Sequence, residues 1–174
     1  MLHNTLVVFG HPDWQSSQVS KAWFDQIQAH LPQVKLHVLD HAHQNGQFDI
    51  AQERALVQSA DKIILIYPVY WFDTPWLMQK WLEDVFTRDF YFEQKAMINK
   101  ELCIAISFGG NHEMYSLGGL NLYPIEFYLL KIQGFAHKCG MRYTGHYALD
   151  SARLANIKER IVETQDQFLS WIKS

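Results

Sequence analysis

The chain reads as an α/β protein: a doubly wound, five-stranded parallel sheet in the order 2-1-3-4-5, with helices on both faces. Three observations predict it. Residues 5–10, 62–67 and 102–108 are short apolar runs rich in β-branched residues and without alternation, as expected of strands buried on both faces. Segments whose apolar residues recur at helical spacing separate these runs, so strand and helix alternate from end to end. The 174 residues, 48% of them hydrophobic, contain no internal repeat or linker. They form one domain, 1–174, long enough to bury roughly 70% of the surface an unfolded chain exposes.

Residues 5–10 make the first strand and 11–18 the loop that follows. Ser16 or Ser17 suits the N-cap of the next helix, in which Val19, Ala22, Trp23, Ile27 and Leu31 share one face. A second strand over 34–39 leads to a polar loop with an Asn45-Gly46 turn signal, and 49–59 reads as a short helix. The third strand, 62–67, meets Pro68, which supplies no N–H and is expected to stop the ladder. The amides of Val69, Tyr70, Trp71 and Phe72 would then be free to point out of the sheet. Pro75 opens a helix whose Leu77, Met78, Trp81, Leu82, Val85 and Phe86 make a stripe too wide for one contact surface. Residues 68–92 also hold nine of the 25 aromatics, Trp76, Phe90, Tyr91 and Phe92 among them. The excess predicts a homodimer packed through this region.

The fourth strand, 102–108, ends in Gly109-Gly110, where the absent side chains let another group approach the backbone. A long loop over 111–123 carries His112, Glu113, Tyr115 and Asn121, and loops of that length in compact domains are usually functional. Pro124 opens a helix that Cys139-Gly140 ends. Residues 142–149 are the last strand, and 152–172 read as one closing amphipathic helix.

A net charge of -3 without a basic run gives no electrostatic footprint for nucleic acid or a membrane surface and disfavours both as partners. No apolar stretch reaches bilayer-spanning length and the start shows no leader pattern, so a cytoplasmic location is expected. The two cysteines, Cys103 and Cys139, suit buried thiols in a reducing compartment. Histidines cluster at 40–43 and near 137, but neither cluster has metal-ligand spacing, and no metal site is expected.

In the order 2-1-3-4-5 the loops after strands one, three and four converge at the switch point, outside the strands' carboxyl ends. The first, 11–18, runs into a helix N-terminus, where free N–H groups favour an anion, and His11, Ser16, Ser17 and Ser20 add donors. There is no phosphate loop of the nucleoside triphosphatase type and no G-x-G-x-x-G turn. Pro68 stands where a response regulator sharing this order would need an aspartate. A phosphate site, an aromatic floor and a glycine pair together match what a flavin requires: anion donors, flat apolar contact, and a donor near the charge of the reduced ring, which Tyr115 can provide.

These residues carry a resemblance. His11-Pro12 with Ser17, Pro68-x-x-Trp71-Phe72-x-x-Pro75, Lys80-Trp81-x-Glu83-x-Val85-Phe86, Gly109-Gly110 and Met114-Tyr115-Ser116 resemble the flavodoxin-fold NAD(P)H:quinone oxidoreductases of the DT-diaphorase type. The likeness spans nearly the whole chain. It implies that His11, Ser17, Gln18, Val19 and Ser20 hold the flavin phosphate region. Pro68, Val69, Tyr70, Trp71 and Phe72 would support the isoalloxazine, and Ser107, Phe108, Gly109 and Gly110 would line its other edge. It further implies a dimeric enzyme that moves a hydride from NADH or NADPH through flavin N5 to a quinone-like acceptor by a ping-pong scheme. The flavin is expected to be FMN, with FAD the alternative. The catalytic pair would be Tyr115 and Asn121, the latter where the family has a histidine; asparagine donates a hydrogen bond but forms no imidazolium. Ser107-Phe108 stands where paired threonines are usual. The same family includes ancillary flavoproteins of potassium efflux systems, so a regulatory subunit bound to a membrane transport protein is the alternative reading.

Overall fold

The computed structural model describes residues 4–174. Its five strands are β1 (Thr5–Phe9), β2 (Lys35–Val38), β3 (Lys62–Pro68), β4 (Glu101–Ser107) and β5 (Arg142–Leu149). All pair in parallel, in the order β2-β1-β3-β4-β5 that the sequence predicts. The helices are α1 (Val19–His30), α2 (Leu39–Ala42), α3 (Ile50–Gln58), α4 (Trp76–Val85), α5 (Leu130–Lys138), α6 (Ile157–Glu163) and α7 (Gln165–Lys173). A π-helical turn, Asp89–Glu93, and a 3-10 turn, Ile125–Leu129, precede β4 and α5.

The lack of alternation in the strands has its cause in two cores. Leu6, Val8, Ile63, Leu65, Leu102, Ile104 and Ile106 pack with residues of α3, α4 and α5, whereas Val7, Phe9, Ile64, Ile66, Cys103 and Ala105 pack with α1, α6 and α7. Successive side chains point to opposite faces, and both faces are covered. At the outer edge, β5 slips one residue against Leu102 and Cys103, and Gly145 takes φ 123° there.

The wide stripe of α4 is absorbed within the chain. Leu77, Met78, Trp81, Leu82, Val85 and Phe86 are all buried, and so is Phe90. Trp81 donates its indole N–H to the buried Glu53 carboxylate at 2.7 Å, which also meets His37 Nε2 at 2.8 Å. Phe86 packs edge-on to Trp81 and Phe135, and the Arg54 guanidinium caps the Phe90 ring at 4.7 Å. Of the aromatics flanking the stripe, Trp76 and Phe92 are exposed. The stripe is therefore intramolecular core, and it does not supply the second surface expected of it.

Three local expectations are corrected. Pro68 does not stop the ladder: it lacks a donor, but its strand still pairs to Ser107, and Val69 N–H reaches the Ser107 carbonyl at 2.8 Å. Neither Ser16 nor Ser17 caps α1, whose N-cap position is Gln18 without a side-chain bond. The closing helix is broken in two at Thr164, whose hydroxyl returns to the Arg160 carbonyl, and residues 151–156 precede it as loop. No helix among the described residues is long and apolar enough to cross a membrane.

Candidate functional site

The loops after β1, β3 and β4 meet at the carboxyl edge and enclose a cleft of two adjoining lobes, which share Val69, Tyr70, Gly109 and Arg153. The first, about 260 Å3, is lined by His11, Ser17, Gln18, Val19, Ser20, Pro68, Ser107 and Phe108, together with Ser16 and Ala152. It has the makings of an anion site. The amides of Gln18, Val19 and Ser20 donate to no carbonyl among the described residues. The Ser17 hydroxyl is buried without a partner, a cost that a bound acceptor would remove. His11 Nδ1 accepts the Asp13 N–H at 3.2 Å, which leaves its Nε2–H to donate to the Tyr70 hydroxyl at 3.1 Å. Burial holds the His11 pKa below its ordinary value, so the ring is a neutral donor.

The second lobe, about 450 Å3, adds Trp71, Phe72, Gly110, Met114, Tyr115 and Asn121. Its floor is a tight turn. Tyr70 and Asp73 exchange both backbone hydrogen bonds at 3.0 Å, and the two residues between them, Trp71 (φ 48°) and Phe72 (φ 65°), lie in the left-handed region. Turns of this kind normally hold Asn-Gly. Here each aromatic costs about 1–2 kcal/mol in backbone conformation. The turn also corrects the expectation of four free amides, since Val69 and Tyr70 are satisfied and only Trp71 and Phe72 are not.

Side chains hold the turn in place. Lys131 on α5 pairs with Asp73 and donates to Thr74 Oγ1 at 2.9 Å, and Phe72 stacks on Tyr128 at 4.9 Å. Trp71 is 93% exposed and flanks the open lobe. Opposite, Tyr115 packs edge-on to Phe108 at 4.8 Å, and burial raises its pKa, so the phenol keeps its proton. A Cβ on Gly110 would press on Met114 Sδ and Tyr115 Cε2, both at 3.1 Å, so glycine lets that wall close up. Asn121 is held by its own N–H to the Met114 carbonyl at 2.9 Å and by Tyr128, which donates to the Asn121 carbonyl.

The residues assigned above to the flavin and to the catalytic pair all line one lobe or the other. His112 does not; it lies against Phe108 and donates its N–H to Asp150. The sequence reading missed a fourth converging loop, the one after β5, which brings Ala152 and Arg153 to the cleft. The signal was present as Asp150-Ser151, which reads as a helix start. Instead Ser151 adopts φ 54° and the chain runs on as loop. Among the described residues no cluster of three metal-ligating side chains exists.

A family model described as "Flavodoxin-like fold" matches residues 3–172. General stress protein 14 of Bacillus subtilis is 33% identical over 82% of this chain and 82% of its own length. An uncharacterized NAD(P)H oxidoreductase of the same organism is 29% identical over 97% of this chain and 85% of its own. Among solved structures, general stress protein 14 from Treponema denticola in complex with FMN superposes with a TM-score of 0.90 at 24% identity, covering 98% of both chains. An NADPH-quinone reductase from P. pentosaceus does so at 0.81 and 26% identity, covering 95% of this chain and 96% of that one.

The strain at Trp71 is testable without any ligand. Trp71→Asn, which suits the left-handed conformation, should raise the stability of the ligand-free chain in urea by about 1 kcal/mol. A fall of similar size would mean that the exposed indole stabilises the turn.

Proposed function

Since the chain belongs to the flavodoxin-like-fold family, we propose that it is an FMN-dependent NAD(P)H oxidoreductase that reduces a quinone-like acceptor by two electrons. The observation that carries this reading is the continuity of an anion-binding lobe with an aromatic one across the shared residues Val69, Tyr70 and Gly109. Similarity to proteins named NAD(P)H oxidoreductase and NADPH-quinone reductase supports it. When bound, FMN supplies the redox chemistry, accepting a hydride from the nicotinamide and passing it on.

The chain's own residues bind and orient. The free amides of Gln18, Val19 and Ser20, the Ser17 hydroxyl and neutral His11 through Tyr70 receive the phosphate. Val69 to Phe72 give the ring its flat floor, and Ser107 to Gly110 its far edge. Tyr115, kept protonated by burial, donates a hydrogen bond where negative charge develops, and Asn121 beside it adds a neutral donor. One open face beside Trp71 serves both donor and acceptor, so the oxidised nicotinamide must leave before the acceptor enters.

A homodimer remains part of the proposal, moved from the stripe of α4 to exposed apolar side chains: Trp71 in the turn, and Leu117, Leu120, Leu122, Tyr123 and Phe127 in the segment that carries Asn121. Sedimentation equilibrium at micromolar concentration should return twice the chain mass of 20.4 kDa. A chain that stays monomeric would defeat the dimer, whereas an integral membrane protein that co-purifies with the chain would favour the transport-partner reading.

Initial rates with NADPH and a benzoquinone should give parallel double-reciprocal lines; intersecting lines would contradict the alternating use of one pocket. Tyr115→Phe should lower kcat about tenfold, the worth of one hydrogen bond to a charged group, while FMN stays bound. An unchanged kcat would remove Tyr115 from the chemistry.

A further inference from the structure

Arg153 lines both lobes of the cleft. Its side chain lies across the backbone of Gly109, where a Cβ would meet Arg153 Nε at 2.8 Å and Cδ at 3.0 Å. The loop that carries it is fixed to the wall, because Ser151 N–H donates to the Gly110 carbonyl and Ala152 N–H to the Phe108 carbonyl, both at 2.9 Å. The loop's own carboxylate, Asp150, is engaged elsewhere: Arg160 binds its side chain at 2.5 Å and its carbonyl at 2.6 Å. Arg153 itself makes no ion pair and no hydrogen bond among the described residues. An unpaired guanidinium thus sits on the seam between the anion lobe and the aromatic lobe, close enough for its charge to act on both Tyr70 and Tyr115.

The other polar groups of the aromatic lobe are uncharged. Tyr115 is a phenol, Asn121 an amide, and His11 next door a neutral imidazole. The proposed reaction nevertheless creates a charge there. The nicotinamide gives a hydride, with its electron pair, to N5 of the flavin and leaves as the oxidised cation. No proton comes with the hydride, so the ring gains one negative charge, spread over N1 and the C2 carbonyl. The charge is lost again when the quinone takes the hydride and a proton from water to become the hydroquinone.

We propose that Arg153 is the residue that stabilises the negative charge of the reduced flavin, supplying from the loop after β5 the permanent cation that Asn121 cannot become. The inference rests on the flavin reading above and goes beyond it in naming the source of the charge. A guanidinium suits the task, being charged at every working pH and presenting several donors in one plane. A side chain at Gly109 would push the guanidinium stem off the position it holds over that backbone.

Arg153 is exposed, so substituting it should leave folding intact. The test compares wild type with Arg153→Gln and Arg153→Lys in two measurements that need no turnover. One is the affinity of the ligand-free protein for oxidised FMN and for riboflavin, read by fluorescence quenching. The other is the two-electron midpoint potential of the FMN-loaded protein against a reference dye. Arg153→Gln should bind oxidised FMN nearly as wild type does but favour its reduced form about tenfold less, a potential about 30 mV lower. Arg153→Lys should recover most of the difference. An unchanged potential in Arg153→Gln would overturn the proposal. So would a loss of FMN affinity that spares riboflavin and leaves the potential alone, which would assign Arg153 to the phosphate instead. If the wild-type chain takes up neither flavin, the flavin reading itself has failed and this inference with it.

Discussion

A line of backbone hydrogen bonds crosses the carboxyl edge of the sheet, and the cleft depends on it. Gly10 N–H reaches the Ile66 carbonyl at 2.8 Å, Val69 N–H the Ser107 carbonyl at 2.8 Å, and Phe108 N–H the Leu149 carbonyl at 3.1 Å. Each bond extends the parallel ladder one residue past its strand, so the loops leave the sheet already positioned against one another. The loop after β5 continues the line by donating back to Phe108 and Gly110. The strands supply rigidity through two buried cores, and the loops inherit it at the one edge where their polar groups remain available.

Left-handed backbone occurs also at Lys95 and Leu122, and unpartnered buried polar atoms at Thr5 and Trp23, but at that edge both kinds of cost fall in one cleft. Trp71 and Phe72 occupy left-handed backbone, and Ser17 keeps a buried hydroxyl without a partner. The rest of the fold offsets these costs, through Lys131 and Tyr128 for the turn and through the packing of Phe9, Trp14 and Phe24 beneath the first loop. Strain and unsatisfied polarity that coincide in one concave place, on elements otherwise well packed, are what a binding site looks like before its ligand arrives.

Most of this was legible in the chain. The apolar runs at 5–10, 62–67 and 102–108 read as strands because residues on both faces must be apolar, and the order of the sheet followed from alternation and size. The three converging loops were legible because proline, paired glycines and clustered hydroxyls mark departures from the ladder. What was not legible depended on tertiary partners. The destination of the α4 stripe was set by Glu53, Arg54 and Phe135, distant residues that turn an apparent surface into core. The turn at 70–73 reads as an open loop because its residues have no preference for positive φ, and the Lys131 bond that holds it spans 57 positions. Arg153 was hidden inside an amphipathic pattern that predicts one helix, where the chain breaks into loop and two helices.

The visible spectrum of the purified protein loaded with FMN tests the central claim most directly, recorded before and after anaerobic NADPH and again after a simple benzoquinone. A two-banded yellow spectrum that bleaches with NADPH and returns with the quinone is the predicted result. A protein that binds no flavin, or whose bound flavin is untouched by NADH and NADPH alike, would contradict the account and leave the aromatic turn as packing.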